Sequence, residues 1–237
     1  MYFNDNIHQL LIDNVPIERI GDGCKDSSFK FVGIKIDEFL TWKDHISSLK
    51  SKLVSATFAL GKVKNILPEQ TKLTIYNSLF RSHLDYCCIA WGSANNRLIS
   101  QLQALQKRAL KYVANTKISA HVTPIFLKSK LLNFKDTVYL NLGITMHQYD
   151  NNILPRSFEN FFEKLQNHER NQCYRTNIIR WNGLKSIPSN TLPRMWNSLE
   201  LHVKRSSSLI SFKQNLVQLL HFRNYPACSK GSCYSCQ

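Results

Sequence analysis

Any chemistry in this chain has few acids and many bases to draw on. Lys and Arg number 31 against 16 Asp and Glu, giving a net charge of +15 and a pI near 9.6. The acids are scattered, and Asp37-Glu38 is their only adjacent pair. A two-metal site needs carboxylates converging on ions ~4 Å apart, and no set here advertises one. The Asp37-Glu38 pair reads as a solvated turn. The sequence holds no Gly-rich phosphate loop of Walker or dinucleotide type, no His-Glu-x-x-His and no Gly-x-Ser-x-Gly. Cys87 and Cys88 fall on or beside an apolar helical face, where cysteine is packing material rather than a nucleophile. One metal candidate stands at the C-terminus: Cys228, Cys233 and Cys236, with His221 upstream. Three thiolates and an imidazole suit tetrahedral Zn²⁺. The spacing is irregular, and the default is free thiols with no resident cofactor.

The charge excess is the stronger signal. Basic chains favour polyanions, because each phosphate contact releases condensed counterions. Nucleic acid is therefore the expected partner, against the alternative of a basic domain without one. No apolar run approaches the ~20 residues of a membrane span. Residues Met1–Gln9 carry no basic-then-apolar leader, and seven cysteines then read as reduced thiols. The expected setting is intracellular, nuclear or cytoplasmic, without secretion or membrane insertion.

Helical elements must position these bases. Trp42, Ile46, Leu49, Leu53, Ala56, Leu60 and Val63 recur at alternating spacings of four and three, a heptad seam that predicts a first helix. Thr41 with Asp44 resembles a capping box at its start. Lys43, Lys50, Lys52, Lys62 and Lys64 fall off the seam, as a solvated face or a phosphate-facing stripe. Pro68-Glu69 opens a second helix, with Leu73, Tyr76, Leu79, Phe80, Leu84 and Cys87 on its apolar face. Gly92–Asn96 breaks the chain. A third helix carries Leu98, Leu102, Leu105, Ala109 and Tyr112, with Lys107, Arg108 and Lys111 alongside. Ahead of the helices, residues 7–20 read as a hairpin broken at Asp13-Asn14, and 29–36 as a strand with a bulge at Gly33. Beyond Asn115, Thr123-Pro124 opens a short helix, Asn133 and Asp136 start another, and Ser206–Ser208 caps a last one. Residues 166–195 show little periodicity. The predicted fold is mainly α: a short β-hairpin or strand lead-in, a three-helix bundle and a looser helical tail.

Several motifs in one order carry a resemblance. They are Phe31-Val32-Gly33-Ile34-Lys35-Ile36-Asp37, Leu40-Thr41-Trp42-Lys43-Asp44-His45-Ile46 and Tyr76-Asn77-Ser78-Leu79. Leu84-Asp85-Tyr86, Trp91-Gly92 and Leu105-Gln106-Lys107-Arg108-Ala109-Leu110 follow. His121-Val122-Thr123-Pro124-Ile125-Phe126, Leu154-Pro155 and Trp196-Asn197-Ser198-Leu199 continue the series. The series resembles the region downstream of the catalytic core in reverse transcriptases of non-LTR (LINE) retrotransposons, nearest the jockey type.

The resemblance implies three segments. Residues 1–39 would end the palm and carry a primer-grip-like Phe31, Val32 and Gly33, with Val32 where the family usually has Leu. Residues 40–115 would form a thumb-like bundle whose Lys43, Lys50, Lys107, Arg108 and Lys111 face an RNA–DNA hybrid. Residues 116–237 would form a C-terminal helical region with the cysteine tail. Trp42 and Trp91 are expected to pack rather than stack on bases. The family's catalytic aspartates, which hold Mg²⁺ in the intact polymerase, have no counterpart here. The expectation is therefore a truncated polymerase that retains template–primer binding at most. The alternatives are a non-enzymatic helical module for nucleic-acid or protein contacts and, more weakly, a small zinc-dependent protein.

Overall fold

The computed structural model describes residues 11–12, 15–16, 28–165, 173–176 and 187–224. Two short antiparallel hairpins precede the helices. The first pairs β1 (Leu11–Ile12) with β2 (Val15–Pro16). The second pairs β3 (Ser28–Phe31) with β4 (Ile34–Asp37), in the register Phe31↔Ile34 and Ser28↔Asp37. Residues 29–36 are thus not one bulged strand. Val32 and Gly33 both take positive φ (44° and 81°), which makes them the two central residues of a type I′ turn.

Helix α1 (Lys43–Val63) buries Ile46, Leu49, Leu53, Ala56 and Leu60, the predicted seam, and adds His45 and Thr57. Its start differs from the expected capping box. Trp42 is the N-cap, in left-handed conformation and without a side-chain cap bond. Asp37 supplies the acceptor instead: its carboxylate takes the N–H groups of Thr41 (2.8 Å) and Trp42 (2.7 Å). The acid read as a solvated turn therefore joins β4 to α1. At the other end, the nearly buried Lys72 donates from Nζ to the Lys64 carbonyl at 2.8 Å, satisfying an orphan acceptor just past the C-terminus of α1.

The predicted second helix is divided. Helix α2 (Glu69–Tyr76) runs into a π turn (Asn77–Arg81) and then α3 (Ser82–Asp85). The extra residue of the π turn rotates the apolar face. Tyr76, Phe80 and Leu84 make the buried line, while Leu79 is left 49% exposed. The chain then turns through Cys87 in left-handed conformation, which leaves Cys87 exposed and buries Cys88 at the start of α4 (Cys88–Trp91).

Helix α5 (Asn96–Val113) is capped by Asn95, whose side chain accepts from the Arg97 N–H at 2.8 Å. Helix α6 (Thr123–Lys128) starts one residue earlier than its expected Thr123 cap, with Val122 at the N-cap. Helix α7 (Phe134–Asp150) is capped by Asn133 as predicted. Residues 188–197, read as aperiodic, form α8 (Pro188–Asn197) despite Pro193; α9 (Leu201–Lys204) and α10 (Leu209–Asn224) follow. Ser208 Oγ accepts from Ser211 N at 3.1 Å, the cap expected there.

Helix α7 packs against α4, α5, α8 and α10, so one apolar cluster runs from Ile34 to Leu220. Trp91 stacks on Phe134 at 5.1 Å, and Trp196 and His147 both meet Phe212. At the centre of the α2–α5–α7 junction lies Gln106. It donates to Tyr76 Oη and the Leu132 carbonyl (3.1 Å each) and accepts from Phe134 N (2.9 Å). Trp42 and Trp91 are both buried, as expected of packing residues.

Candidate nucleic-acid interface

The turn between β3 and β4 is where sequence, strain and charge meet. Left-handed φ costs an ordinary L-residue roughly 1–2 kcal/mol, and β-branched valine tolerates it poorly. Val32 accepts it while 66% of its surface is exposed. Its carbonyl is tied down by Tyr86 Oη, which donates to it at 2.6 Å. Leu40, Trp42 and Cys87 also take positive φ (52°, 62° and 48°). Four of the eight described non-glycine residues with positive φ thus lie around the hairpin, the start of α1 and the turn after α3.

Behind the turn, these elements enclose a cavity of about 210 Å³. Lys30 and Lys35 enter it from the hairpin, His45 and Lys52 from α1, and His83 from α3. Gly33 and Tyr86 also line it, and among the described residues no carboxylate does. His45 is nearly buried, edge-on to Trp91 at 5.3 Å, and its Nδ1 accepts from the Lys35 backbone N–H at 3.4 Å. Burial, then Lys52 and Lys35, lower its pKa. The neutral imidazole therefore keeps its proton on Nε2, a donor rather than a further positive charge. Three lysines and two histidines, with no carboxylate among the described lining residues, suit a phosphate-like anion.

The predicted basic residues divide between two faces. Lys50 and Lys52 are two positions apart and so point to different sides of α1. Lys52 lines the hairpin cavity, whereas Lys50 donates from Nζ to Gln101 Oε1 on α5 at 2.9 Å. Arg108 lies on the same α1–α5 seam and donates from Nε to Tyr112 Oη at 3.0 Å. Lys43 and Lys107 are exposed. Lys111 is partly buried and donates to the Ile118 carbonyl, which ties it to the loop after α5. Phe31, Val32 and Gly33 form the turn itself. Lys30, Lys35, His45 and His83 were not singled out in the sequence, because no local spacing links a hairpin to two helices.

The metal readings fare differently. Of the candidate zinc ligands, His221 lies on α10, and Cys228, Cys233 and Cys236 fall outside the described residues. Among the described residues, no group of three or more His, Cys, Asp or Glu side chains gathers as metal ligands do. Asp37 is committed to the start of α1, Asp85 pairs with Arg81 at 3.1 Å, and Asp150 accepts from Lys164 (2.9 Å) and Tyr174 (2.6 Å). No described helix is long and apolar enough to cross a membrane.

A mainly helical, strongly basic chain with a strained, lysine-lined hairpin is the class these observations define. A 130-residue stretch is 24% identical to a Drosophila melanogaster protein described as a probable RNA-directed DNA polymerase from transposon X-element. The match covers 54% of this chain and 14% of that protein's length. The similarity relates the chain to a retrotransposon RNA-directed DNA polymerase. No family model and no solved structure matches it.

Proposed function

We propose that this chain holds a template–primer duplex, an RNA–DNA hybrid, as the primer-grip and thumb portion of a retrotransposon-type polymerase, and does not itself polymerise. The cavity behind Val32-Gly33 carries the reading. Lys30, Lys35 and Lys52 would neutralise a backbone phosphate at the turn, and the His45 Nε2–H would orient it. Gly33 lets the turn hold its φ of 81° beside the Tyr86 ring. Lys43, Lys50, Lys107 and Arg108 would extend the contact along the helices. Lys111 would act indirectly, by bracing the loop after α5. No step of phosphoryl transfer is assigned to this chain.

Salt dependence tests the reading. Affinity for a labelled hybrid should fall linearly on a log–log plot between 50 and 200 mM salt, with slope set by the number of phosphates neutralised. Replacing Lys30, Lys35 and Lys52 together by Gln should flatten that slope by about three, one per lysine. No binding at 50 mM salt, or a slope untouched by the triple variant, sinks the proposal. Primer extension by this chain alone with Mg²⁺ would overturn its non-catalytic half. A protein-contact reading is favoured by a separate observation: Phe29, Phe31 and Phe39 are 51%, 60% and 58% exposed beside the same hairpin.

A further inference from the structure

Helices α1 and α5 run parallel, since Lys50 meets Gln101 at one end of their seam and Gly61 meets Tyr112 at the other. From Gln101 to Tyr112 the seam is about 17 Å long at the helical rise of 1.5 Å per residue. Its C-terminal half opens into a groove of about 420 Å³ with Val54, Phe58, Leu105 and Tyr112 on the floor. Phe58 is 65% exposed and Val54 46% exposed. Single exposed apolar residues need no explanation, but here they adjoin in one concavity. Lys62, Lys64 and Arg108 line its rim, and among the described residues no carboxylate does. Each cation already sits over a ring: Lys62 is 5.1 Å from the Phe58 centroid, and Lys64 and Arg108 are 5.9 and 5.8 Å from that of Tyr112.

We infer that this groove seats single-stranded nucleic acid, with a base stacked on Phe58 and the flanking phosphates on Lys62, Lys64 and Arg108. The inference rests on the nucleic-acid reading above and adds an unpaired strand to it. Aromatic faces set in a cationic groove are what sequence-tolerant single-strand binding requires. An exposed cation–π contact is weaker than base–aromatic stacking, so an incoming base displaces Lys62 from the ring. The displaced ammonium then pairs with the adjacent phosphate. A duplex offers no free base face, so it gains nothing from Phe58.

The test compares the full chain with Phe58→Ala and Phe58→Trp, using labelled oligothymidylate, an oligonucleotide carrying one 2-aminopurine, and the RNA–DNA hybrid. Phe58 is largely exposed, so the alanine variant keeps its fold. Phe58→Ala should weaken single-strand binding about 5- to 150-fold, the range of one base–aromatic stack, and leave hybrid binding within twofold. It should also abolish the 2-aminopurine fluorescence change, and Phe58→Trp should restore both. Unchanged single-strand affinity in Phe58→Ala, with the hybrid still bound, overturns the groove assignment alone. Failure of the wild-type chain to bind either nucleic acid at low salt overturns the nucleic-acid reading as well. Concentration-dependent dimerisation that Phe58→Ala abolishes would assign the groove to a second copy. Displacement of oligothymidylate only by an acidic helical peptide, without quenching, would assign it to protein.

Discussion

Val32→Asn should stabilise the hairpin. Val32 sits at the first central position of a type I′ turn with φ 44°, and Gly33 follows at 81°. That position favours Asn, whose short side chain bonds locally and tolerates left-handed φ, whereas valine is strained there by roughly 1–2 kcal/mol. The valine side chain is exposed, so its replacement gives up little burial. The net gain should be about 1 kcal/mol, or about fivefold in the closed-to-open ratio of the hairpin. Hydrogen exchange of the β3 and β4 amides reads this directly, and the urea midpoint reads any share passed to the whole fold. Tyr86→Phe provides the counter-perturbation. It removes the 2.6 Å bond to the Val32 carbonyl and should lower the same protection by about 1 kcal/mol. Unchanged or reduced protection in Val32→Asn refutes the strain argument. A rise in protection with unchanged hybrid affinity would remove the Val32 side chain from the proposed nucleic-acid contact.

Five further outcomes follow from particular contacts. Gly92→Ala would set a Cβ 2.4 Å from the Cys88 carbonyl and 2.5 Å from Val138 Cγ2, so urea melts should show a loss of about 2–3 kcal/mol. Gly143→Ala should lose less, because its 2.6 Å neighbour is the end of the Leu216 side chain. Gln106→Leu orphans the Phe134 N–H and the Leu132 carbonyl and should cost about 2–4 kcal/mol in the same assay. Burial raises the pKa of Asp136 from 3.8 to about 6, against the opposing bond from Asn133. A raised folded-state pKa stabilises below about 4, and that contribution is lost as pH climbs through about 6. Asp136→Asn should therefore gain on the wild type between pH 4 and pH 8, by at most about 3 kcal/mol for a two-unit shift. His45 has the opposite sign. Its lowered pKa gives stability that is present above 6.5 and lost as pH falls through the folded value, so His45→Gln should flatten the acid limb of the melting curve.

Much of the fold was legible locally. The seam from Ile46 to Leu60, the caps at Asn133 and Ser208, and the Pro68-Glu69 start are signals within one element, where side-chain spacing and backbone bonding involve neighbours in sequence. The errors came from effects that change phase. A π turn moved Leu79 to the surface, and left-handed φ at Cys87 exchanged it with Cys88. Residues 29–36 read as one strand because their alternation survives on both sides of a two-residue turn, with only the phase shift at Val32-Gly33 to mark it. Residues 166–195 show little periodicity, yet α8 begins within them and continues through Pro193.

By itself the sequence determined a basic, mainly helical chain whose carboxylates are too sparse for an advertised metal pair, and which helix faces would be apolar. Those properties follow from composition and from spacing at 3.6 residues per turn. Only the tertiary structure decided which bases share a site. Lys30, Lys35, His45, Lys52 and His83 come from four elements, β3, β4, α1 and α3, and meet because the β4–α1 junction at Asp37 and the Tyr86–Val32 bond fix the hairpin on the helices. Lys50 and Lys52 were separated by the 200° that two helical residues span. Convergence of distant side chains is set by how elements dock, and sequence spacing carries no record of it.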